Sequence, residues 1–232
     1  MTQSQLLRMK MEVTCSPLSD AFRRLWSRPD LDELYASFLI HLHYIMRASV
    51  PLMEAALDRC RRAPASDAVA PGLAAYLEKH IPEERHHDEW TLDDLAALGM
   101  NRTEVLSTIP PPVMASMVGS QYYWIHHDHP VAILGYISVL EGSPPTRQHV
   151  ESLRKRTGLP DEAFRTYRLH GQLDPHHREE LARALDSLPL SPRQSALVSI
   201  SAAHTAALLA QAIEDFVDEA RPARARRASA AR

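Results

Sequence analysis

Glycine is scarce in this chain, with seven in 232 residues. Hairpin turns and strand bends draw on glycine, whereas long stretches rich in Ala, Leu, Glu and Arg favour helix. The expected fold class is all-α. Apolar residues make up 45% of the chain, which at this length suffices for one sizeable core, and no composition shift divides it. A single helical domain is expected over 1–220, followed over 221–232 by a disordered basic tail of Arg, Ala and Ser with one Pro.

Charge excludes some classes of partner. With a formal net charge of -3, the chain has no whole-protein field that would draw it to nucleic acid, so a small-molecule substrate is the expected partner, with a homodimer as the assembly considered. No run of ~20 consecutive apolar residues is evident and the N-terminus lacks a signal-peptide pattern, so no membrane span is expected and the reading is cytoplasmic. Cys15 and Cys60 have neither metal-type nor disulfide spacing and are read as free packed thiols. Any metal must then be held by His and carboxylates.

Periodicity sets out about seven helices. Asp30 is positioned to cap the first, which runs through Leu34, Phe38, Leu42 and Ile45 toward Leu57 with a kink expected at Pro51. A second begins at Pro71 and ends at Gly99; a third spans Pro112 to Leu140, stopped by Gly142, Pro144 and Pro145. Arg147 to Thr157 follows, then Asp161 to Asp174, continuing with or without a break to Leu185. The last starts at Ser191, with Gln194 in capping-box position, and runs to about Ala220.

Three stretches carry metal chemistry. His170, Asp174 and His177, at offsets of four and seven, fall within about 60° of one another on a helix, although Pro175 should bend or split it. Glu84 and His87 have the three-residue spacing that brings a carboxylate and an imidazole to one metal, and so do Glu83 and His86, so spacing alone does not choose the register. Glu141 ends the apolar run Val131 to Leu140; a carboxylate starting from buried backbone needs a metal or an arginine beside it. His126, His127, His129, His41, His43, His80 and His204 are read as hydrogen-bonded packing groups. Tyr44 and Arg47 are candidates for substrate binding, Arg47 as a bidentate carboxylate holder. No catalytic group beyond the ligands is evident.

Taken in order, Glu84-x-x-His87, Glu141 at a helix end, and His170-x-x-x-Asp174-x-x-His177 resemble the haem-oxygenase-like diiron oxidases and oxygenases. The resemblance covers most of the chain, from Ser49-Val-Pro-Leu-Met53 through His87-Asp-Glu-Trp90 and Leu-Glu141-Gly to the Leu185 region. It implies a seven-helix haem-oxygenase-like bundle, two Fe(II) ions as cofactors and O2 as co-substrate. The implied ligands are Glu84, His87, Glu141, His170, Asp174 and His177, with Glu84 or Glu141 bridging. The implied reaction is N-oxygenation, desaturation or oxidative cleavage of a small amino-acid-like or carboxylate substrate, in biosynthesis. Two alternatives keep the helices but change the chemistry. One is a cofactor-independent oxidase or a thiaminase-like hydrolase of the same fold, the latter needing a Cys nucleophile that neither Cys15 nor Cys60 suggests. The other is an iron or haem carrier, for which six ligand-type residues are excessive.

Overall fold

A computed structural model of the chain describes residues 1–230, with side chains described to position 219. Every regular element among the described residues is helical. In chain order they are α1 (Gln3–Thr14), α2 (Ser16–Trp26), α3 (Leu31–Arg61), α4 (Ala70–Glu84), α5 (His87–Ala97), α6 (Arg102–Ser107), α7 (Pro112–His127), α8 (Ile133–Leu140), α9 (Arg147–Thr157), α10 (Arg165–Ser187) and α11 (Pro192–Ala230). The expected tail at 221–232 lies where no side chain is described, and residues 231–232 lie outside the described residues altogether.

Local chemistry explains most boundaries. Thr2 and Gln5 form a reciprocal capping box on α1, and Ser191 with Gln194 forms the expected one ahead of α11. Gly158, at φ 67°, ends α9 in the left-handed conformation that a side chain disfavours. Pro130 breaks the third expected helix into α7 and α8 through a short 3-10 turn. Asp30 starts α3 as expected, but its carboxylate makes no capping bond and instead receives both Arg28 Nε and Nη2, at 2.8 and 2.7 Å.

Two expectations are corrected and one alternative left open by the sequence is decided. Residues 3–26 form two helices that had been left unassigned: α1 is mostly polar and buries only Leu7, while α2 is amphipathic and buries Leu18, Ala21 and Leu25. The second expected helix is two, α4 and α5, separated by extended Arg85 and left-handed His86. Pro175 does not split α10, which is continuous over Arg165–Ser187.

The core sits between two groups of helices. α11 packs on α8, α2, α7 and α1, while α3 packs on α4, α5 and α7. Gly135 permits the first contact: a Cβ there would stand 2.2 Å from the Val198 carbonyl oxygen, on backbone that cannot step aside. The stretch of α11 from Pro192 to Glu219 is long and apolar enough to cross a membrane, which composition had been read as excluding, but more than half of its most apolar window is buried inside the bundle. Its apolarity is that of a core helix.

Candidate metal centre

The centre is built where α4, α5, α8 and α10 meet. Glu84 is the last residue of α4, His87 the first of α5, and Glu141 caps the C-terminus of α8. α10 contributes His170, Asp174 and His177 from one face. Asp94 of α5 sets the start of that helix: its Oδ2 accepts the Thr166 backbone N–H at 3.0 Å, satisfying a donor that the first turn leaves unpaired.

Glu84 lies between two imidazoles. Its Oε2 is 3.1 Å from His87 Nδ1 and its Oε1 is 3.2 Å from His177 Nδ1. Two groups have side-chain donor atoms within 4.8 Å of one another: His80, Glu84, Glu141 and His177, and Glu84, His87 and His170. Glu84 belongs to both. His170 donates from Nδ1 to the Thr166 carbonyl at 2.9 Å, which leaves Nε2 as the lone-pair nitrogen. The His87 ring is stacked on Trp90, with centroids 3.8 Å apart.

Burial gives the cluster its electrostatics. Desolvation pushes the Asp174 carboxyl up to about 8, helped by the charges of Glu141 and Glu84. It also raises Glu141, although the bonded His80 opposes the shift. Burial pushes Glu84 upward too, but the imidazoles of His87, His80 and His170 outweigh it and hold this carboxyl below its ordinary range. Burial lowers His170 and His177, favouring the neutral imidazole that binds metal.

The residues fit a metal by their own bonding. Glu141 Oε2 and Asp174 Oδ1 are buried and have no hydrogen-bond partner, and His87 Nδ1 and His177 Nδ1 have only the Glu84 carboxylate beside them, without hydrogen-bond alignment. Buried polar atoms left unsatisfied are costly, and here several converge from three helices. Mixed imidazole and carboxylate donors match the preference of iron, whereas magnesium favours oxygen and water.

Sequence spacing missed His80. It is 1% exposed, and its Nε2 donates to Glu141 Oε1 at 2.9 Å, so it is part of the centre and not a packing group. Its position four residues before Glu84, on the same helix face, was the available signal. Of the two registers, Glu84 and His87 are the inward pair; Glu83 Oε2 stands 3.7 Å from His177 Nε2, while His86 is exposed. His129 bonds Asp67 and the Val131 N–H, His43 bonds Thr91, and neither these nor His126, His127, His41 or His204 joins the two groups.

A cavity of about 730 Å³ opens beside Glu84, Glu141, His170 and Asp174. Tyr44 and Arg47, the expected substrate-binding pair, do not line this cavity; Tyr44 lines a second one, of about 690 Å³, with Ile40, Thr108 and Phe216. His41, Ile45, Ser49 and Met53 form the cavity face of α3, and at about 100° per residue Tyr44 and Arg47 point to the other side. There Tyr44 donates to Thr108 Oγ1 at 2.7 Å and Arg47 lies over its ring. Cys15 does line the cavity, but burial raises its thiol; Cys60 is pushed up to about 12, also chiefly by burial.

Comparison with known proteins agrees with this architecture. No curated protein matches the sequence. Among solved structures, a domain of unknown function with a heme oxygenase-like fold from Shewanella denitrificans superposes with a TM-score of 0.78 at 18% identity, covering 95% of this chain and 94% of that one. A TenA homolog from Pseudomonas syringae pv. tomato gives 0.72 at 12% identity, covering 92% of each chain. Heme oxygenase from Leptospira interrogans gives 0.66 at 16% identity, covering 93% of this chain and all of that one. At such identities the likeness establishes the heme oxygenase-like fold alone. The family model for iron-containing redox enzymes matches residues 36–197, which hold α4, α5, α8 and α10 with every residue of the centre, and the chain belongs to that family.

Proposed function

We propose that the chain is a non-haem diiron oxidase or oxygenase, with Glu84, His87, Glu141, His170, Asp174 and His177 as ligands to two ferrous ions. The observation that carries the reading is Glu84, half-buried between His87 and His177 with one oxygen turned to each and shared by both donor groups. Such a carboxylate is suited to bridging two metals. Bound ferrous ions would supply the electrons that reduce dioxygen while an organic substrate is oxidised.

The chain's own residues prepare that chemistry. His80 has Nε2 committed to Glu141 Oε1, so we assign it to holding Glu141 with its second oxygen free. Thr166 fixes the tautomer of His170, and Trp90 fixes the plane of His87. The cavity walls beside the centre are mostly apolar, which lowers the local dielectric and strengthens its electrostatics. A small carboxylate or amino-acid-like substrate, processed in biosynthesis, is the proposed partner. The hydrolase alternative has no support from the cysteines, since Cys60 lies outside the cavity and burial raises both thiols, Cys15 in the cavity wall included, where a nucleophile would need a lowered one.

Anaerobic titration with ferrous ion, followed by an oxygen electrode, tests this. Close to two irons per chain and oxygen uptake that accelerates with substrate are expected. Stoichiometric iron without oxygen uptake under a broad substrate screen would identify a carrier, and absence of iron binding would return the chain to the cofactor-independent alternatives.

A further inference from the structure

We propose that a divalent metal ion reaches the centre past Glu83, by a route that does not pass through the cavity, with His80 and His177 handing it inward. This rests on the centre being a metal centre and not on the oxidase reaction assigned to it. Glu83 spans from solvent to interior: its side chain is 33% exposed, yet Oε2 is buried and has no hydrogen-bond partner. That oxygen faces His80 Nδ1 and His177 Nε2, each at 3.7 Å. Both rings turn their second nitrogen to a carboxylate of the centre, His80 Nε2 to Glu141 Oε1 at 2.9 Å and His177 Nδ1 to Glu84 Oε1 at 3.2 Å. His80 is fully buried with Nδ1 unpartnered, so a polar atom inside the protein is aimed at Glu83 with nothing to bond.

The spacing suits the passage of a metal better than a hydrogen bond or a permanent seat. At 3.7 Å the carboxylate and the imidazoles are too far apart to bond each other. Two ligands held at about 2.1 Å by one ion stand roughly 3.4 Å apart at tetrahedral angles, and further apart at wider ones. Glu83 belongs to neither group of converging donors, so an ion it takes up has better places further in. On the outer side a cation already occupies the approach: the Lys79 ammonium lies 4.0 Å from Glu83 Oε1 and pairs with Glu180, which His176 and Arg183 also crowd. Glu83 is the carboxylate left for an incoming ion. The cavity is the other way in, and none of Glu83, His80 and His177 lines it. Its wall is mostly apolar, and its fixed charges outside the centre are Arg8 and Arg178 against the single carboxylate of Glu12. A hydrated dication is repelled there and loses water without replacement.

Metal uptake by the anaerobic metal-free protein tests the proposal, with Co(II) and Fe(II) as probes and stopped-flow quenching of Trp90 as the signal, since that ring stacks on His87 with centroids 3.8 Å apart. A port speeds entry and exit alike and leaves the equilibrium where it was. Glu83→Gln should therefore slow uptake and release by a similar factor of about ten, within the range that local charge adds to association rates, with dissociation constant and stoichiometry unchanged. Lys79→Gln removes the competing cation and should speed uptake severalfold, whereas Glu12→Gln on the cavity wall should not alter it. Circular dichroism checks the fold of each variant, and Lys79→Gln, at an exposed position, decides the matter should Glu83→Gln fail to fold. Uptake as fast in Glu83→Gln as in the unaltered protein, or slowed instead by Glu12→Gln, would overturn the proposal in favour of entry through the cavity. A weakened dissociation constant or a lost metal in Glu83→Gln would overturn it as well, by making Glu83 a ligand. If the unaltered protein took up no metal, the reading of the centre would fall and the port with it; full uptake at rates indifferent to Glu83 and Lys79 would refute the port alone.

Discussion

Two segments of the centre satisfy similar spacings by different means. α10 presents His170, Asp174 and His177 from one uninterrupted helix, and its Pro175 costs a backbone hydrogen bond without breaking the rod. Glu84 and His87 are also separated by three positions, yet no helix joins them: Arg85 is extended and His86 is left-handed at φ 69°. The proline looked like the weak point in sequence, whereas the backbone irregularity lies at the histidine pair. Regular helix projects ligands by periodicity; the reversal at 85–86 turns the end of α4 and the start of α5 toward the same point.

The largest effect expected is at the shared residue. Glu84→Ala should lose both irons and all oxygen uptake while keeping the helical signal, since the core is Leu, Val and Ala faces. His177→Ala, on the regular helix, should lower iron stoichiometry without affecting His87. If iron analysis found one metal retained in Glu84→Ala, the two halves of the centre would be independent and Glu84 would not bridge.

Next in size is the neighbour that spacing missed. His80→Ala removes the buried partner of Glu141, at a cost of about 3 kcal/mol in metal-free protein and a ~10–100-fold loss of iron affinity. Urea unfolding and iron titration read the two effects apart. Unchanged iron affinity would make His80 a structural ion-pair partner alone.

A smaller effect is expected in the pH dependence of metal-free protein. The Asp174 carboxyl is raised from 3.8 to about 8, so its stabilising contribution is fully present below about 4 and is lost as pH rises toward 8. Glu141 shifts in the same direction, while depressed Glu84 acts in the opposite sense and at lower pH. Metal-free protein should therefore lose on the order of a few kcal/mol across that window. Asp174→Asn should flatten the slope, and bound iron should remove it by replacing the proton. A slope unchanged in Asp174→Asn, measured by denaturant unfolding at several pH values, would place the titration elsewhere.

The smallest effect concerns the irregular segment itself. His86→Gly should stabilise the fold by about 0.5–1 kcal/mol, because glycine adopts positive φ without the Cβ penalty, and iron stoichiometry should stay the same. If this variant lost iron, the His86 ring would contribute to the centre despite its exposure.

Helix class was legible in composition and periodicity because both are local: scarce glycine, capping residues at Ser191 and Gln194, and apolar steps of three and four. The six candidate ligands were legible by type and order, and the structure brings Glu84, His87, Glu141, His170 and His177 into two overlapping groups with Asp174 buried nearby. The break at Arg85 and His86 was not legible, since no glycine or proline marks it. The N-terminal helices were missed although α2 carries Leu18, Ala21, Phe22, Leu25 and Trp26 at helical spacing; α1 is mostly polar, and the two become a cavity wall only when set against α10 and α11.

What the chain determined by itself was therefore chemistry with a short reach: which side chains are of a type that can ligate a metal, which stretches coil, and where caps stop them. Tertiary structure alone decided that His80 meets Glu141 across 61 positions, that Asp94 caps α10 across 72, and that Tyr44 and Arg47 turn away from the cavity. The reason is that such pairings depend on where helices cross, and crossings are set by contacts between distant segments, as where Gly135 lets α8 settle against the Val198 carbonyl.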